Sequence, residues 1–215
     1  MRREDVVAGL SGQYAVFAAL IDSLTAEAWD TPTRCTGWQV RDVAGHVVGN
    51  AIDTANGVIG TRTPDEQARA FRDGGPGDLA AELRAAAARL IPFLDALDDR
   101  VWGRPSPVPG RSVGNGVHTL WYDAFMHGDD IRTALGRPED RGPGLAGTVH
   151  WLREELERLS RGPYRLVLDG LGEYAIGSRG PVLRGDPMLF TLVASGRADP
   201  AEFGADPSVN VHVLR

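Results

Sequence analysis

Lysine is missing from this chain: all 23 of its basic residues are arginine. Together with abundant Gly, Ala and Pro, this matches GC-rich codons and points to a GC-rich genome such as an actinomycete's. It carries no mechanism. Cysteine is almost missing too. Cys35 stands alone, so no internal disulfide can form and a cysteine-rich zinc site is excluded. Any metal must be held by histidines and carboxylates. No apolar run approaches the ~20 residues of a membrane span. The start, Met1-Arg2-Arg3-Glu4-Asp5, lacks the apolar block of a signal peptide, so the expected location is the cytoplasm. A formal net charge of -6 argues against a nucleic-acid partner, which needs a clustered basic face.

Of the 215 residues, 42% are hydrophobic and 24% charged. That composition builds a packed core in one large domain, or in one ordinary domain with a small second one. Val6, Leu10, Phe17, Leu20, Ile21 and Leu24 fall on one helical face and predict a first helix over 3–24. Thr36-Gly-Trp-Gln39 has the form of a capping box and predicts a second helix from Thr36 to about 57–60, burying Val40, Val43, Ala44 and Val47. Residues 61–78 are polar and Gly/Pro-rich and read as a loop. A third helix is predicted over 78–97, with Pro92 kinking it or ending it early. Residues 100–112 hold three prolines and read as a connector. A fourth helix is predicted over 113–135, stopped by Gly136 and Pro138.

Residues 137–144 read as a linker, which divides the chain into 1–138 and 139–215. The second part carries one helix over 145–159 and short β-like runs at 164–168, 173–176 and 209–214. A short helix is expected at 187–194. The expected class is mainly α: four long helices, then a small α+β segment. No internal repeat is evident.

The richest stretch for chemistry is Trp121-Tyr-Asp123-Ala-Phe-Met-His127-Gly-Asp-Asp130-Ile-Arg132. Asp123 and His127 are one helical turn apart and share a face, so a carboxylate and an imidazole can reach one cation. Asp130 lies on the same side and can accept a hydrogen bond from a ligand. A third ligand is needed, and the candidate is His46. On a helical wheel it sits beside Asn50 and Asp53, away from the Val40/Val47 stripe, so these three can look into a bundle cavity. The plainer alternative is that Asp123 and His127 are a surface pair and His46 a solvated or satisfied histidine. His118, His150 and His212 read as structural or solvated. Cys35 precedes a helix start, where a thiol can be acidified, yet the sequence implies no neighbouring histidine.

Thr33-Arg-Cys35-Thr-Gly-Trp38-Gln-Val-Arg41-Asp42-Val-Ala-Gly-His46 resembles a signature of the mycothiol-dependent maleylpyruvate isomerase family, within the DinB/YfiT-like metalloproteins. Asp123-Ala-Phe-Met-His127-Gly-Asp-Asp130-Ile-Arg132-Thr-Ala-Leu-Gly-Arg-Pro138 is similar to its second signature. Gly162-Pro-Tyr-Arg-Leu-Val and the stretch from Arg184-Gly-Asp186 to Gly196-Arg197 resemble the small sterol-carrier-like domain that often follows the bundle. The resemblance implies a DinB-like four-helix bundle, a divalent metal, usually zinc, on His46, Asp123 and His127, and a thiol cosubstrate, mycothiol. Asp123 stands where the founding isomerase type has Glu. An arginine of the second domain assists catalysis in that type; Arg197 is the position nominated here, with Arg184 as its rival.

Three protein ligands leave a coordination position open, as in catalytic zinc sites, and a coordinated thiol becomes a nucleophile at neutral pH. A thiol that adds to a double bond and leaves after rotation gives an isomerase. One that stays attached gives an S-transferase. Metal-activated water, giving a hydrolase, and a non-catalytic ligand-binding bundle are the alternatives. The expected partners are a small thiol and a small electrophile, with no membrane and a homodimer as a possible assembly.

Overall fold

The structure is a computed structural model and describes residues 1–212. The chain divides into two compact units, Met1–Asp140 and Arg141–Arg215. No described helix is long and apolar enough to cross a membrane.

Four long helices build the first unit: α1 (Arg3–Asp22), α3 (Val40–Ala55), α5 (Pro76–Asp95) and α7 (Val113–Ala134). α1 and α3 each pack on both α5 and α7, which closes a four-helix bundle. Its core is a single cluster including Leu10, Phe17 and Ile21 of α1, Val40, Val43 and Val47 of α3, Leu79, Leu83 and Leu90 of α5, and Val117, Leu120 and Ala124 of α7. Three short helices lie between: α2 (Ala26–Trp29), α4 (Pro64–Ala70) and α6 (Asp99–Trp102).

Two expectations about these helices need correction. α3 starts at Val40, four residues later than Thr36. Gly37 takes φ +80°, a left-handed turn that no helix start accommodates, and Pro32 pairs with Gln39 in a β-bridge. The helix is capped from Gln39, whose N–H donates to Asp42 at 3.0 Å. The segment 61–78 is also more than a loop, since it holds α4. Thr63 caps this helix, and Glu66 reaches back to the Thr63 N–H at 2.7 Å. Thr63-Pro-Asp-Glu66 is itself a capping box with Pro at the first helical position. Pro92 lies inside α5, which continues to Asp95.

The bundle also contains a repeat that residue identity conceals. α1, α2 and the start of α3 recur in α5, α6 and the start of α7 at a constant offset of 73 residues (3 to 76, 22 to 95, 26 to 99, 40 to 113). The loops before α3 and α7 share their backbone hydrogen bonds. Pro32 bridges Gln39 as Pro105 bridges Ser112. The Thr33 N–H donates to the Trp38 carbonyl as the Ser106 N–H donates to that of Arg111. Gly37 and Gly110 supply the same positive φ, 80° and 74°. Past the last residues of α1 and α5, as far as the first of α3 and α7, Leu24/Leu97, Trp29/Trp102, Pro32/Pro105, Gly37/Gly110 and Val40/Val113 are the identities that survive, too few to stand out in the sequence.

In the second unit α8 (Pro143–Arg158) packs on α9 (Pro187–Ala194), and three strands form a sheet of order β2-β1-β3. β1 (Tyr164–Leu168) runs antiparallel to β2 (Gly172–Ile176) and parallel to β3 (Val182–Gly185). β3 is not the strand expected at 209–214. Pro207–Val209 forms a 3-10 turn capped by Asp206, and a proline there removes a ladder donor. Residues 213 and 214 lie outside the described residues. β3 itself has four residues between Gly/Pro-rich flanks, too short for its alternation to register.

Candidate functional site

Asp123 stands between two histidines. His46 Nε2 lies 3.3 Å from Asp123 Oδ2, and His127 Nε2 lies 3.5 Å from Asp123 Oδ1. The two imidazoles meet edge to face, with ring centroids 5.0 Å apart. The three ligand atoms lie within 4.8 Å of one another, a spacing that three donors to one cation require. His46 comes from α3 and the other two from α7, one turn apart, so helix packing brings them together. Asn50, one turn beyond His46, donates from Nδ2 to Asp123 Oδ2 at 3.4 Å.

Both histidines are held from behind. Gln67 Nε2 donates to Asp53 Oδ2 at 2.8 Å, which leaves its Oε1 to accept from His46 Nδ1 at 2.9 Å. His46 therefore carries a proton at Nδ1 and turns Nε2 toward the cluster. Asp53 is buried and clamped in turn by Arg62, whose Nε lies 3.1 Å from each carboxylate oxygen. On the other side, Asp130 Oδ2 accepts from His127 Nδ1 at 2.9 Å. Arg34 reaches Asp130 Oδ1 at 2.6 Å and Asp129 Oδ2 at 2.5 Å. Such outer partners set the tautomer and aim of ligand imidazoles. Trp38 covers both rings, with its centroid 5.4 Å from that of His46 and 6.1 Å from that of His127.

Two glycines make the Gln67 contact possible. Gly45 and Gly49 are one turn apart on α3, and α4 lies against them. A Cβ on Gly49 would sit 2.8 Å from the Gln67 Cβ, and one on Gly45 would sit 2.9 Å from the Ala68 carbonyl oxygen.

The electrostatics follow from this packing. Burial pushes the Asp123 carboxyl up, but the charges of His46 and His127 and the hydrogen bonds from His46 and Asn50 outweigh it, holding Asp123 well below the usual carboxylate range. Burial pulls the His46 imidazole down, while the Asp123 charge and its hydrogen bonds outweigh this and raise it. Burial, aided by the Asp123 charge, drives the Tyr14 hydroxyl far above its ordinary value. Burial also raises Asp129, against the pull of Arg34. An anionic carboxylate between two imidazoles, each of which can give up its Nε2 proton to a cation, is a donor set for a borderline divalent cation, and the residues present fit one.

Of the residues singled out in the sequence, His46, Asp123, His127 and Asn50 meet in this cluster, and Asp130 backs His127. Asp53 touches none of the ligand atoms and lies two hydrogen bonds behind His46. Arg197 belongs to the second unit, half-buried in the turn after α9, where its N–H donates to the Leu192 carbonyl at 2.7 Å. Arg184 is exposed on β3. Gln67 carries no signal of its own in the sequence, and Arg34 and Trp38 stand within the first signature without a role attached to them there. Cys35 does acquire a histidine neighbour: its Sγ lies 4.0 Å from His127 Nδ1 and donates to Asp130 Oδ2 at 3.2 Å. Cys35, His127 and Asp130 form a second group with cation-compatible spacing, which shares His127 with the first.

The bundle, its partly open His/Asp/His cluster and the three-stranded second unit together define a DinB-like helical protein. The chain belongs to the mycothiol maleylpyruvate isomerase N-terminal domain family, whose model matches residues 10–132. Its fold is similar to that of a crystal structure of mycothiol-dependent maleylpyruvate isomerase, at 15% identity and a TM-score of 0.67. A histidine-to-alanine mutant of that enzyme matches at 16% and 0.66. Each likeness covers 92% of this chain and 90% of the other. No curated protein matches.

Proposed function

We propose that this chain is a metal-dependent thiol S-transferase or isomerase, with mycothiol as its thiol cosubstrate and a small electrophile as substrate. His46, Asp123 and His127 hold the metal, zinc by the chemistry of the donor set. The observation that carries the reading is that Nε2 of both histidines faces Asp123 while each Nδ1 is committed to an acceptor, Gln67 or Asp130. A cation bound there acidifies a thiol that coordinates it. Everything else falls to the chain. Gln67 and Asp130 keep each Nε2 aimed inward, Asn50 orients Asp123, and Trp38 shields the imidazoles from water. The thiolate sulfur adds to one carbon of the electrophile's double bond, whose π pair moves toward the activating group. In an isomerisation the single bond rotates and that pair re-forms the double bond as the thiolate departs; in a conjugation the sulfur stays and the neighbouring carbon takes up the proton the thiol gave up. The resemblance supports Arg197 as an assisting arginine from the second unit.

The test is elemental analysis of untagged protein, followed by turnover with and without mycothiol. The expected result is near-stoichiometric zinc and turnover that requires the thiol. Hydrolysis without thiol would point instead to activated water. A protein that takes up no divalent metal would be a binding bundle, and the reading would be abandoned.

A further inference from the structure

The indole that covers the two imidazoles is fixed at both ends. At its base, the Trp38 N–H donates to the Cys35 carbonyl at 2.9 Å. The Trp38 carbonyl accepts from the Thr33 N–H at 3.0 Å and from the Thr33 hydroxyl at 2.9 Å. The backbone is thus pinned where the side chain leaves it. At the far end, Nε1 donates to Asp65 Oδ1 at 2.9 Å. A tryptophan has only two side-chain torsions, and these anchors restrain both. The ring is held against both imidazoles at once: its centroid lies 5.4 Å from that of His46 and 6.1 Å from that of His127, which are themselves 5.0 Å apart. A shift of the indole is therefore felt by both histidines.

Asp65 is the second residue of α4, two before Gln67. This one short helix grips His46 twice, at Nδ1 through Gln67 and on its ring through Asp65 and Trp38. Because Trp38 also packs on His127, the Asp65 bond bears on both histidines, whereas Gln67 bears on one. We propose that Asp65 is a positioning residue of the His46/Asp123/His127 cluster, acting through Trp38 Nε1 to fix the angle at which the two histidine Nε2 atoms converge. This rests on the cluster being a metal site, as proposed above. A cation held by three protein donors binds best when those donors are preset, and hydrogen bonds behind the donors supply that. Asp65 touches no donor itself, so its effect is smaller than that of Gln67. Two other properties of Asp65 have to be separated from this one. Its charge reaches His46, and it stands in the first turn of α4, where an acidic side chain suits a helix N-terminus. Asparagine at this position keeps the acceptor and removes both.

The variants are Asp65→Ala, Asp65→Asn, Trp38→Phe, which keeps an aromatic ring without the donor, and the double variant Trp38→Phe/Asp65→Ala. Zinc affinity is measured by competition with a chromophoric chelator, and donor geometry by the d–d absorption of the cobalt-substituted protein. Asp65→Ala is expected to weaken zinc about threefold to tenfold and to shift the cobalt bands. Asp65→Asn should match the parent in both. In the Trp38→Phe background, Asp65→Ala should change neither. Parental affinity and spectrum in Asp65→Ala overturn the proposal. So does Asp65→Asn behaving like Asp65→Ala, which assigns the effect to charge, or a full Asp65 effect surviving in Trp38→Phe, which assigns it to α4. If Trp38→Phe does not fold, the comparison of Asp65→Ala with Asp65→Asn decides alone. If the parent takes up no divalent metal, the functional reading fails, and the histidine ring signals in nitrogen-15 spectra of the metal-free protein judge Asp65 separately. Signals of His46 and His127 that move in Asp65→Ala and not in Asp65→Asn uphold the positioning role; signals that stay, or move alike in both, remove it.

Discussion

Gln67 and His46 form a directional pair. The Gln67 amide nitrogen is spent on Asp53, so its oxygen faces His46 Nδ1 at 2.9 Å and His46 can present only Nε2 to Asp123. Removing the acceptor in Gln67→Leu should therefore weaken zinc about 10- to 100-fold without unfolding the bundle. Competition with a chromophoric chelator measures this. Parental affinity in that variant would show that the amide plays no part in aiming the imidazole.

The ligands themselves should behave more severely. His46→Ala and His127→Ala are each expected to lose stoichiometric zinc while retaining helical circular dichroism. Both side chains face a partly open cluster rather than the apolar core, so the core survives their loss. Elemental analysis after gel filtration provides the check.

Two glycine substitutions should separate the site from its scaffold. Gly49→Ala pushes a methyl to 2.8 Å from the Gln67 Cβ and should cost about 1–3 kcal/mol of stability, together with zinc affinity, because α4 must move. Gly114→Ala drives a methyl into the Trp102 indole, where α6 meets the first turn of α7, more than two turns before Asp123. It should cost at least as much stability and leave zinc affinity unchanged. Thermal melts paired with chelator competition distinguish the two.

On the other flank, Asp130→Ala removes the acceptor that orients His127, whereas Cys35→Ser keeps a donor at nearly the same place. The first should lower zinc affinity about tenfold or more, and the second should leave it near the parental value. A large loss in Cys35→Ser would mean that the thiol binds the cation directly. A thiolate charge-transfer band in the cobalt-substituted protein would reveal that.

In the second unit, Asp186 caps α9 through the Met188 N–H at 2.8 Å and pairs with Arg141. The hydrogen bond from Arg141 holds its carboxyl below the ordinary value. A depressed carboxyl stabilises above its unfolded pKa of about 3.9 and loses that contribution as pH falls through its folded value. Asp186→Asn keeps the cap, so it should be less stable than the parent at pH 7 by well under 1 kcal/mol. The gap should close in acid, as urea melts across pH 2–7 will show.

Several helices are legible in the sequence from their apolar residues. α7 was expected at 113–135 and runs Val113–Ala134, and α9 was expected at 187–194 and occupies those residues. The start of α3 was misread because Thr36-Gly-Trp-Gln39 mimics a cap, while the Pro32–Gln39 bridge and the positive φ of Gly37 claim those residues for a loop. α4 was missed because polar, proline-flanked residues obscured Thr63 and Glu66. With it went Gln67.

The sequence by itself determined a mainly helical chain with a small α+β end, and the candidate trio His46, Asp123 and His127, because period and residue chemistry are local properties. Tertiary structure alone decided which nitrogen of each histidine faces Asp123, that Asp53 stands behind the site rather than in it, and that Cys35 meets His127. It also decided that Asp65 holds Trp38 over both histidines. These are contacts between residues 14 to 96 positions apart in the chain or between a loop and a helix face, and they exist only once α3, α4 and α7 pack.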